Sequence, residues 1–305
     1  MTANSPSAAA HVSAHKLFSF GRAAAIAGNT LRDLVRQKVF YFMLVFAVVL
    51  IGLSLVLAVL SFQGQLQTVM DMSLGAMSVF TMLLAVLSSA MLLPKDIEDR
   101  TLYTILAKPV SRFEYLLGKL AGVALMLLIA TLMMTVFFIG VLWFWQGREI
   151  ANIRLSVEPQ LVENALANVK NGTFTFTLFG GIGVLFLRAV VCAALTLMVS
   201  TFARSWLFTV IVALMMVLIG HLVPIARYAW MDPVQAGVDV PWHLSLFLRA
   251  VSVFFPDMQL FNIVDDIAVG TQVPAGIFGD VAMLGCGYLA IYLLVSYLFF
   301  AWREL

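Results

Sequence analysis

Residues 94–119 read PKDIEDRTLYTILAKPVSRFEYLLGK, a densely charged stretch that lies between two long apolar runs. The rest of the chain is poor in charge, because 62% of its 305 residues are hydrophobic and only 11% are charged. A mean hydropathy of +1.01 is outside the range of soluble globular proteins. The composition therefore predicts an all-α integral membrane protein in which this charged stretch is a loop outside the lipid.

Six apolar runs around this loop are long enough to cross about 30 Å of hydrocarbon as helices. They cover about residues 39–61, 72–93, 116–145, 182–202, 206–224 and 281–301. The third run exceeds what a bilayer needs, so it is predicted to tilt or to protrude. Residues 1–15 are small and polar, and we expect a disordered tail there rather than a secretory signal. Residues 16–305 are predicted to form a single transmembrane domain.

The basic residues are distributed unequally between the two sides of this six-span arrangement. Five lie in the long loops of one side, and twelve lie on the other: Lys16, Arg22, Arg32, Arg36, Lys38, Lys95, Arg100, Lys108, Arg112, Lys119, Arg204 and Arg303. The positive-inside rule then predicts that both termini and the 94–115 loop are cytoplasmic. The net charge of +2 gives no sign of a surface for nucleic acid, whereas membrane lipid is an expected partner.

The segment before the first span has the pattern of an amphipathic helix. Within residues 25–38, AIAGNTLRDLVRQK, Ala27, Leu31 and Leu34 recur at helical spacing while Arg32 and Arg36 share another face. We predict an interfacial helix over residues 16–38, with its apolar side in lipid. The alternative is that these residues are only the first turns of a long first span.

The charged stretch itself predicts two helical pieces separated by a proline. Asp96 is a candidate N-cap, with Glu98 in the first turn, and Pro109 would end that helix after the apolar stripe Leu102, Ile105 and Leu106. Ser111 and Glu114 then have the spacing of a capping box at the start of the third span. Such a loop would be rigid, and it could either rest on the membrane surface or contact a partner.

Isolated polar residues elsewhere are given structural interpretations. Arg188 is expected to be an interfacial anchor that extends its charge toward water, with a substrate ligand as the alternative. His221 is expected to be an interfacial cap at the end of the fifth span rather than a metal ligand. The three acidic residues before the sixth span, Asp257, Asp265 and Asp266, are expected to be solvated on an amphipathic interfacial or re-entrant segment. Both cysteines, Cys192 and Cys286, lie in apolar runs and are expected to be buried hydrophobes.

Two absences bear on the energy source. No G-x-x-x-x-G-K-[ST] occurs, so the chain itself cannot hold a nucleotide in a P-loop. The interiors of the predicted spans lack Asp, Glu and Lys, which ion-coupled carriers generally place at membrane depth. Gly118 and Gly122 form a G-x-x-x-G that would allow close helix contact, although one such motif is weak evidence.

The sequence EDRTLYTILAKPVSRFEYLLGKLAG resembles the first cytoplasmic loop of type-2 permeases, the membrane subunits of ATP-binding-cassette (ABC) transporters. Other segments resemble that family in the same order: NTLRDLVRQKVF its N-terminal connecting helix, VSTFARSW its tight turn between spans 4 and 5, FFPDMQLFNIVDDIAVG its outer segment before span 6, and FAWREL its C-terminal end. The first 14 residues and the 146–180 loop have no clear counterpart.

The resemblance implies that residues 94–115 are a coupling loop that docks on a separate ABC ATPase subunit. The residues at or shaping that contact would be Asp96, Glu98, Arg100, Thr101, Leu102, Leu106, Pro109, Ser111, Arg112 and Glu114. Small polar residues of span 2 would face the transport pathway, namely Ser78, Thr81, Ser88 and Ser89. It further implies an exporter permease in the bacterial inner membrane, working as a homodimer or as a heterodimer with a similar permease. ATP and magnesium would be bound by the partner, and no cofactor by this chain.

Two other functions stay open at this point. A stand-alone channel or secondary carrier would transport without an ATPase, and the missing charges within the spans count against it. A membrane-embedded lipid-modifying enzyme would need a catalytic group, for which only the three aspartates Asp257, Asp265 and Asp266 are candidates. The transported substrate does not follow from the fold.

Overall fold

The computed structural model describes residues 19–61, 65–99, 111–156, 162–231, 241–263, 267 and 273–302. Its regular elements within these ranges are α-helices, which confirms the predicted all-α class. In chain order they are α1 (Phe20–Val35), α2 (Lys38–Leu60), α3 (Gln65–Glu98), α4 (Arg112–Ser156), α5 (Val162–Thr173), α6 (Phe176–Phe202), α7 (Trp206–Met231), α8 (Trp242–Phe254) and α9 (Ala275–Trp302).

Six of these helices are long and apolar enough to cross a membrane, namely α2, α3, α4, α6, α7 and α9. They correspond to the six predicted spans; α2 ends one residue before the predicted end, and the other five extend beyond a predicted end by a turn or more. The 45 residues of α4 make a helix of roughly 67 Å, more than twice the thickness of the hydrocarbon layer. The prediction that the third span would be longer than a bilayer needs is therefore confirmed.

The bundle is organised around α6. The most apolar part of α6 is 83% buried inside the protein, against 22% for α2 and for α9. Consecutive small or slender side chains, Cys192, Ala193 and Ala194, let neighbouring helices approach α6 from several sides, and it packs on α3, α4, α7 and α9. The outer helices instead expose large apolar side chains such as Phe42 and Phe46, as expected of surfaces that face lipid.

The N-terminal helix α1 is separate from the first span, which confirms the predicted amphipathic helix and rules out a continuous long span. The chain is extended at Gln37, with φ −73° and ψ 137°, so the helical path breaks between α1 and α2. The apolar face of α1 is not left for lipid as predicted, because Ala27 and Leu34 are buried and α1 packs on α4. This close contact requires the predicted G-x-x-x-G motif: a Cβ at Gly118 would lie 2.8 Å from the Ala23 carbonyl oxygen.

The segment after α8 enters the bundle instead of continuing along its surface. Pro256, Asp257 and Met258 are buried, and the Met258 N–H donates a hydrogen bond of 3.1 Å to the Gly220 carbonyl in α7. Met258 Sδ also lies 3.9 Å from Cys192 Sγ in α6. Only glycine fits at position 220, since a Cβ there would come within 2.8 Å of the Pro256 carbonyl oxygen. The segment before the sixth span, predicted to be interfacial or re-entrant, thus packs into the bundle, and we call it the re-entrant segment.

Candidate functional site

The two ends of the predicted coupling loop, which we call its shoulders, lie in the described part of the chain, whereas its central residues do not. Asp96 and Glu98 lie at the end of α3, and Ser111, Arg112 and Glu114 lie at the start of α4. The remaining predicted contact residues fall in the interval that the structure does not describe: Arg100, Thr101, Leu102, Leu106 and Pro109. The geometry of the site is therefore that of its two shoulders.

The prediction that Asp96 caps a new helix is wrong, because α3 continues through Pro94 to Glu98. Proline inside a helix removes a hydrogen bond and disfavours continuation, but contacts of the following turn can offset that cost. Asp96 makes such contacts: its carboxylate forms an ion pair of 2.6 Å with Lys119 Nζ and accepts a hydrogen bond from the Tyr115 hydroxyl. The last turn of α3 is thereby joined to the first turns of α4.

The capping box at the start of α4 is confirmed. The Glu114 N–H donates to Ser111 Oγ at 3.1 Å, and the Ser111 N–H donates to Glu114 Oε2 at 2.9 Å. The other carboxylate oxygen of Glu114 binds the N-terminal helix, accepting from the Ser19 N–H at 2.5 Å and from Arg22 Nη2 at 2.8 Å. Glu114 is fully buried, so one carboxylate both caps α4 and holds the start of α1 against it.

Arg112 joins the same shoulder to the end of the chain. Its Nη1 group donates to the carbonyl oxygens of Phe300 at 2.7 Å and Ala301 at 2.8 Å. These carbonyls belong to the last turn of α9, which lacks intrahelical donors and carries the negative end of the helix dipole. The guanidinium also lies 5.7 Å from the centre of the Phe300 ring. The start of α4 is thus bonded to α1, α3 and α9, and we call this joint the α4 base, formed by Arg22, Asp96, Arg112, Glu114 and Lys119.

A second polar group lies inside the bundle, away from the α4 base. Of the four candidate pathway residues of α3, Ser78 reaches a cavity of about 520 Å³, where Arg188 Nη1 donates to its hydroxyl at 3.0 Å. Thr81 and Ser88 donate instead to carbonyls of their own helix at 2.7 and 2.6 Å, and Ser89 is fully buried. A role in transport for these four residues stays a prediction.

The expectation that Arg188 anchors the protein at the membrane surface is wrong. Arg188 is only 7% exposed, and it lies twelve residues after the start of α6 and fourteen before its end. His221 is not an end cap either, because α7 continues to Met231. Its Nε2 lies 2.6 Å from Arg188 Nη2 and its Nδ1 lies 2.8 Å from the Val217 carbonyl. The predicted fourth span began six residues too late, so Arg188 was wrongly expected near its start. The predicted fifth span ended seven residues too early, so His221 was wrongly expected at its end.

Asp257 is buried and not a solvated carboxylate as predicted. It forms an ion pair of 3.2 Å with Arg227 Nη1, and its other oxygen accepts from the Gln259 N–H at 3.0 Å. It therefore stabilises the turn that carries the re-entrant segment. Asp265 and Asp266 fall outside the described residues. Within the described ranges, no group of three His, Cys, Asp or Glu side chains could hold a metal ion.

A comparison with protein families found that a model described as ABC-2 family transporter protein matches residues 24–305. The chain belongs to this family. A comparison with curated proteins found no match. Family membership makes the chain a membrane subunit of an ABC transporter, and the family implies partnership with an ABC ATPase subunit. The match includes α1 from residue 24 onward, all six spans and both shoulders of the coupling loop.

Sequence reasoning missed Arg22 and Lys119 of the α4 base in this ABC-2 transporter protein, and it missed Tyr115, whose hydroxyl donates to Asp96 of that base. In the sequence each is a single basic or aromatic residue near an apolar run, and its partner lies 19 to 92 positions away. Tyr115 and Lys119 also share one partner, Asp96. A positional signal did exist for Tyr115 and Lys119, because they lie about one and two helical turns after Ser111 and therefore on the same face of α4. No comparable signal linked Arg22 to Glu114.

Proposed function

We propose that this chain is the permease subunit of an ATP-driven exporter and that residues 94–115 transmit the movement of a separate ATPase subunit to the spans. The observation that carries this proposal is the joint between the two shoulders of the loop, where Asp96 of α3 binds Lys119 and Tyr115 of α4. A force applied to the loop would reach two long spans at once, since their ends are bonded together.

The α4 base extends this mechanical connection beyond α3 and α4. Glu114 ties α4 to α1 through Arg22, and Arg112 ties it to the end of α9. Buried, charge-assisted hydrogen bonds resist small rearrangements, because separating them leaves polar groups without partners. A displacement of the loop would then move four helices as a unit instead of deforming one helix end.

Glu98 is an exposed carboxylate where α3 enters the loop, so it is accessible to a partner that docks there. In the proposed arrangement the α4 base and both termini are cytoplasmic, in accord with the twelve basic residues predicted for that side. The partner binds ATP and magnesium. Two permease protomers, identical or similar, form the pathway in the bacterial inner membrane, because apolar faces of the outer helices are available to a second copy as well as to lipid.

Mild-detergent affinity purification from the native host, followed by mass spectrometry and an ATPase assay, tests the proposal. We expect an ABC ATPase in stoichiometric amount and hydrolysis that vanadate inhibits. A homogeneous protein without such a partner, under conditions that keep other ABC complexes intact, would overturn the proposal in favour of a stand-alone channel or carrier. Of the three aspartates on which the lipid-enzyme alternative depends, Asp257 is engaged in the turn of the re-entrant segment, which argues against a catalytic role for that residue.

Charge reversal at the loop tests the coupling step itself. Glu98→Arg and Arg100→Glu should leave the protein inserted while reducing ATPase recovery or its stimulation about tenfold, as expected when a paired charge at an interface is reversed. Glu163→Arg is the matched control, because Glu163 is an exposed carboxylate in α5, remote in sequence from the loop. Wild-type coupling in both loop variants would remove the loop from the mechanism.

A further inference from the structure

The cavity of about 520 Å³ inside the bundle is the feature that the proposed coupling role leaves unexplained. One face of α3, one residue each of α6 and α7, and the re-entrant segment line it, and it is open where its lining residues are exposed. The lining is Gln67, Asp71, Gly75, Ser78, Val79, Arg188, His221, Met258, Gln259 and Asn262. The lining of α3 runs from position 67 to position 79, which corresponds to roughly 18 Å along the helix. The cavity therefore extends from near the start of α3 to the depth of Arg188.

Arg188 supplies a buried positive charge at the deep end of this cavity. Its Nη1 donates to Ser78 Oγ at 3.0 Å, its Nη2 lies 2.6 Å from His221 Nε2, and its Nε is buried without a hydrogen-bond partner. Within the described part of the chain no carboxylate lies within 4 Å of the guanidinium. Removing an unpaired cation from water costs several kcal/mol, so such a group is expected to have a counter-ion.

The hydrogen bonds of His221 show that this side chain does not add a second positive charge. An arginine can only donate, so His221 Nε2 must accept from Arg188. The proton of the neutral ring is then on Nδ1, where it is donated to the Val217 carbonyl at 2.8 Å. His221 thus orients the guanidinium and leaves its charge to be neutralised by something else in the cavity.

The other charged residue of the lining, Asp71, cannot serve as that counter-ion from its position. It precedes Ser78 by seven residues, or roughly 10 Å along α3, and it makes no ion pair with Arg188 within 4 Å. The neutral lining offers donors instead, since Gln67 and Gln259 carry amide groups. Arg188 is thus the one positively charged residue of the described lining, with neutral donors beside it and the carboxylate of Asp71 about 10 Å away along α3, an arrangement that can hold a multi-oxygen anion at its deep end.

We propose that this cavity binds the phosphate group of a ligand, with Arg188 as its counter-ion and Ser78 and the amide side chains as additional donors. A guanidinium offers a planar set of N–H groups that matches the oxygens of a phosphate. The volume also lies within the range of small-molecule sites, so it can hold more than the anion alone. The phosphate belongs either to a lipid headgroup or to a soluble compound. A role as cargo site rests on the proposed transport function, whereas the binding itself does not.

Isothermal titration calorimetry on the purified full-length chain in detergent tests the proposal with two probes, inorganic phosphate and dioctanoyl phosphatidic acid. Dioctanoylglycerol is the control for uncharged lipid. We expect saturable binding of at least one phosphate probe and a loss of affinity of about tenfold or more in Arg188→Gln, as for a charge-assisted hydrogen bond. Arg148→Gln is the matched control, because Arg148 is exposed near the far end of α4 and does not line the cavity.

A second variant keeps the test decisive if Arg188→Gln does not fold. Ser78→Asp places a carboxylate next to the guanidinium, where the hydroxyl now lies 3.0 Å away, and should abolish phosphate binding while preserving a partner for Arg188. Binding of phosphatidic acid alone identifies a lipid headgroup as the source, and binding of inorganic phosphate identifies a soluble anion. Absence of binding by the wild-type chain, or equal binding by Ser78→Asp, would overturn the proposal. The assay contains no ATPase, so a failure of the coupling proposal would not affect it.

Discussion

Removal of the Glu114 carboxylate should release α1 from the bundle without unfolding the spans. In Glu114→Ala the N–H groups of Ser19 and Ser111 and the guanidinium of Arg22 all lose their acceptor. Breaking a buried ion pair costs about 3–5 kcal/mol. We expect about 3 kcal/mol, the lower end, because the Arg22 side chain is 33% exposed and can turn toward water.

The matched variant Glu114→Gln separates charge from hydrogen bonding. Its single amide oxygen can replace only Oε1, so the hydrogen bonds from Ser19 and Arg22 to α4 are kept at about half their strength, while the Ser111 N–H loses its acceptor. The expected loss is therefore about 1.5 kcal/mol. At about 1.4 kcal/mol per factor of ten, the opening equilibrium of α1 should rise about 100-fold in Glu114→Ala and about tenfold in Glu114→Gln.

Hydrogen–deuterium exchange of the protein in lipid nanodiscs measures this opening, because amide exchange follows local opening equilibria. Peptides of residues 20–35 should exchange faster in the order wild type, Glu114→Gln, Glu114→Ala, while peptides of the buried helix α6 stay unchanged. Glu163→Ala, at an exposed carboxylate of α5, should match the wild type. Equal exchange of α1 in all four proteins would refute the argument that Glu114 holds α1, and faster exchange throughout α6 would refute its local character.

Two further substitutions test close contacts of the fold. Gly122→Ala places a Cβ 2.6 Å from Thr30 Cβ, so it should weaken the contact between α1 and α4 by about 1–3 kcal/mol. The expected result is faster proteolysis between α1 and α2. Gly140→Ala is the control, because a Cβ there meets open space on the same helix, and it should leave the proteolysis rate unchanged. Asp257→Ala leaves Arg227 without its carboxylate and the Gln259 N–H without an acceptor, so the midpoint of thermal unfolding should fall. Asp257→Asn, which can still cap the turn, should recover part of the loss, and a midpoint equal to that of the wild type in both variants would contradict the assigned role.

Part of the α4 base could be predicted because its signals are local. The capping box needs only Ser111 and Glu114, three positions apart, and its hydrogen bonds form wherever a helix begins there. The G-x-x-x-G of Gly118 and Gly122 likewise marked a close contact, although the sequence did not identify α1 as the partner. Local signals of this kind do not predict the contacts that the same residues make with distant helices, such as the ion pair between Glu114 and Arg22.

The sequence alone determined the membrane class, the six spans and the family resemblance, because hydrophobicity and short motifs act over one helix at a time. Only the tertiary structure decided where the polar groups meet. α3 continues past Pro94 because Asp96 forms an ion pair with Lys119 of α4. Arg188 is buried because neighbouring helices pack around α6, and Ser78 of α3 and His221 of α7 contact its guanidinium. These partners are 23 to 110 positions apart, and their meeting depends on helix packing, which no local pattern encodes.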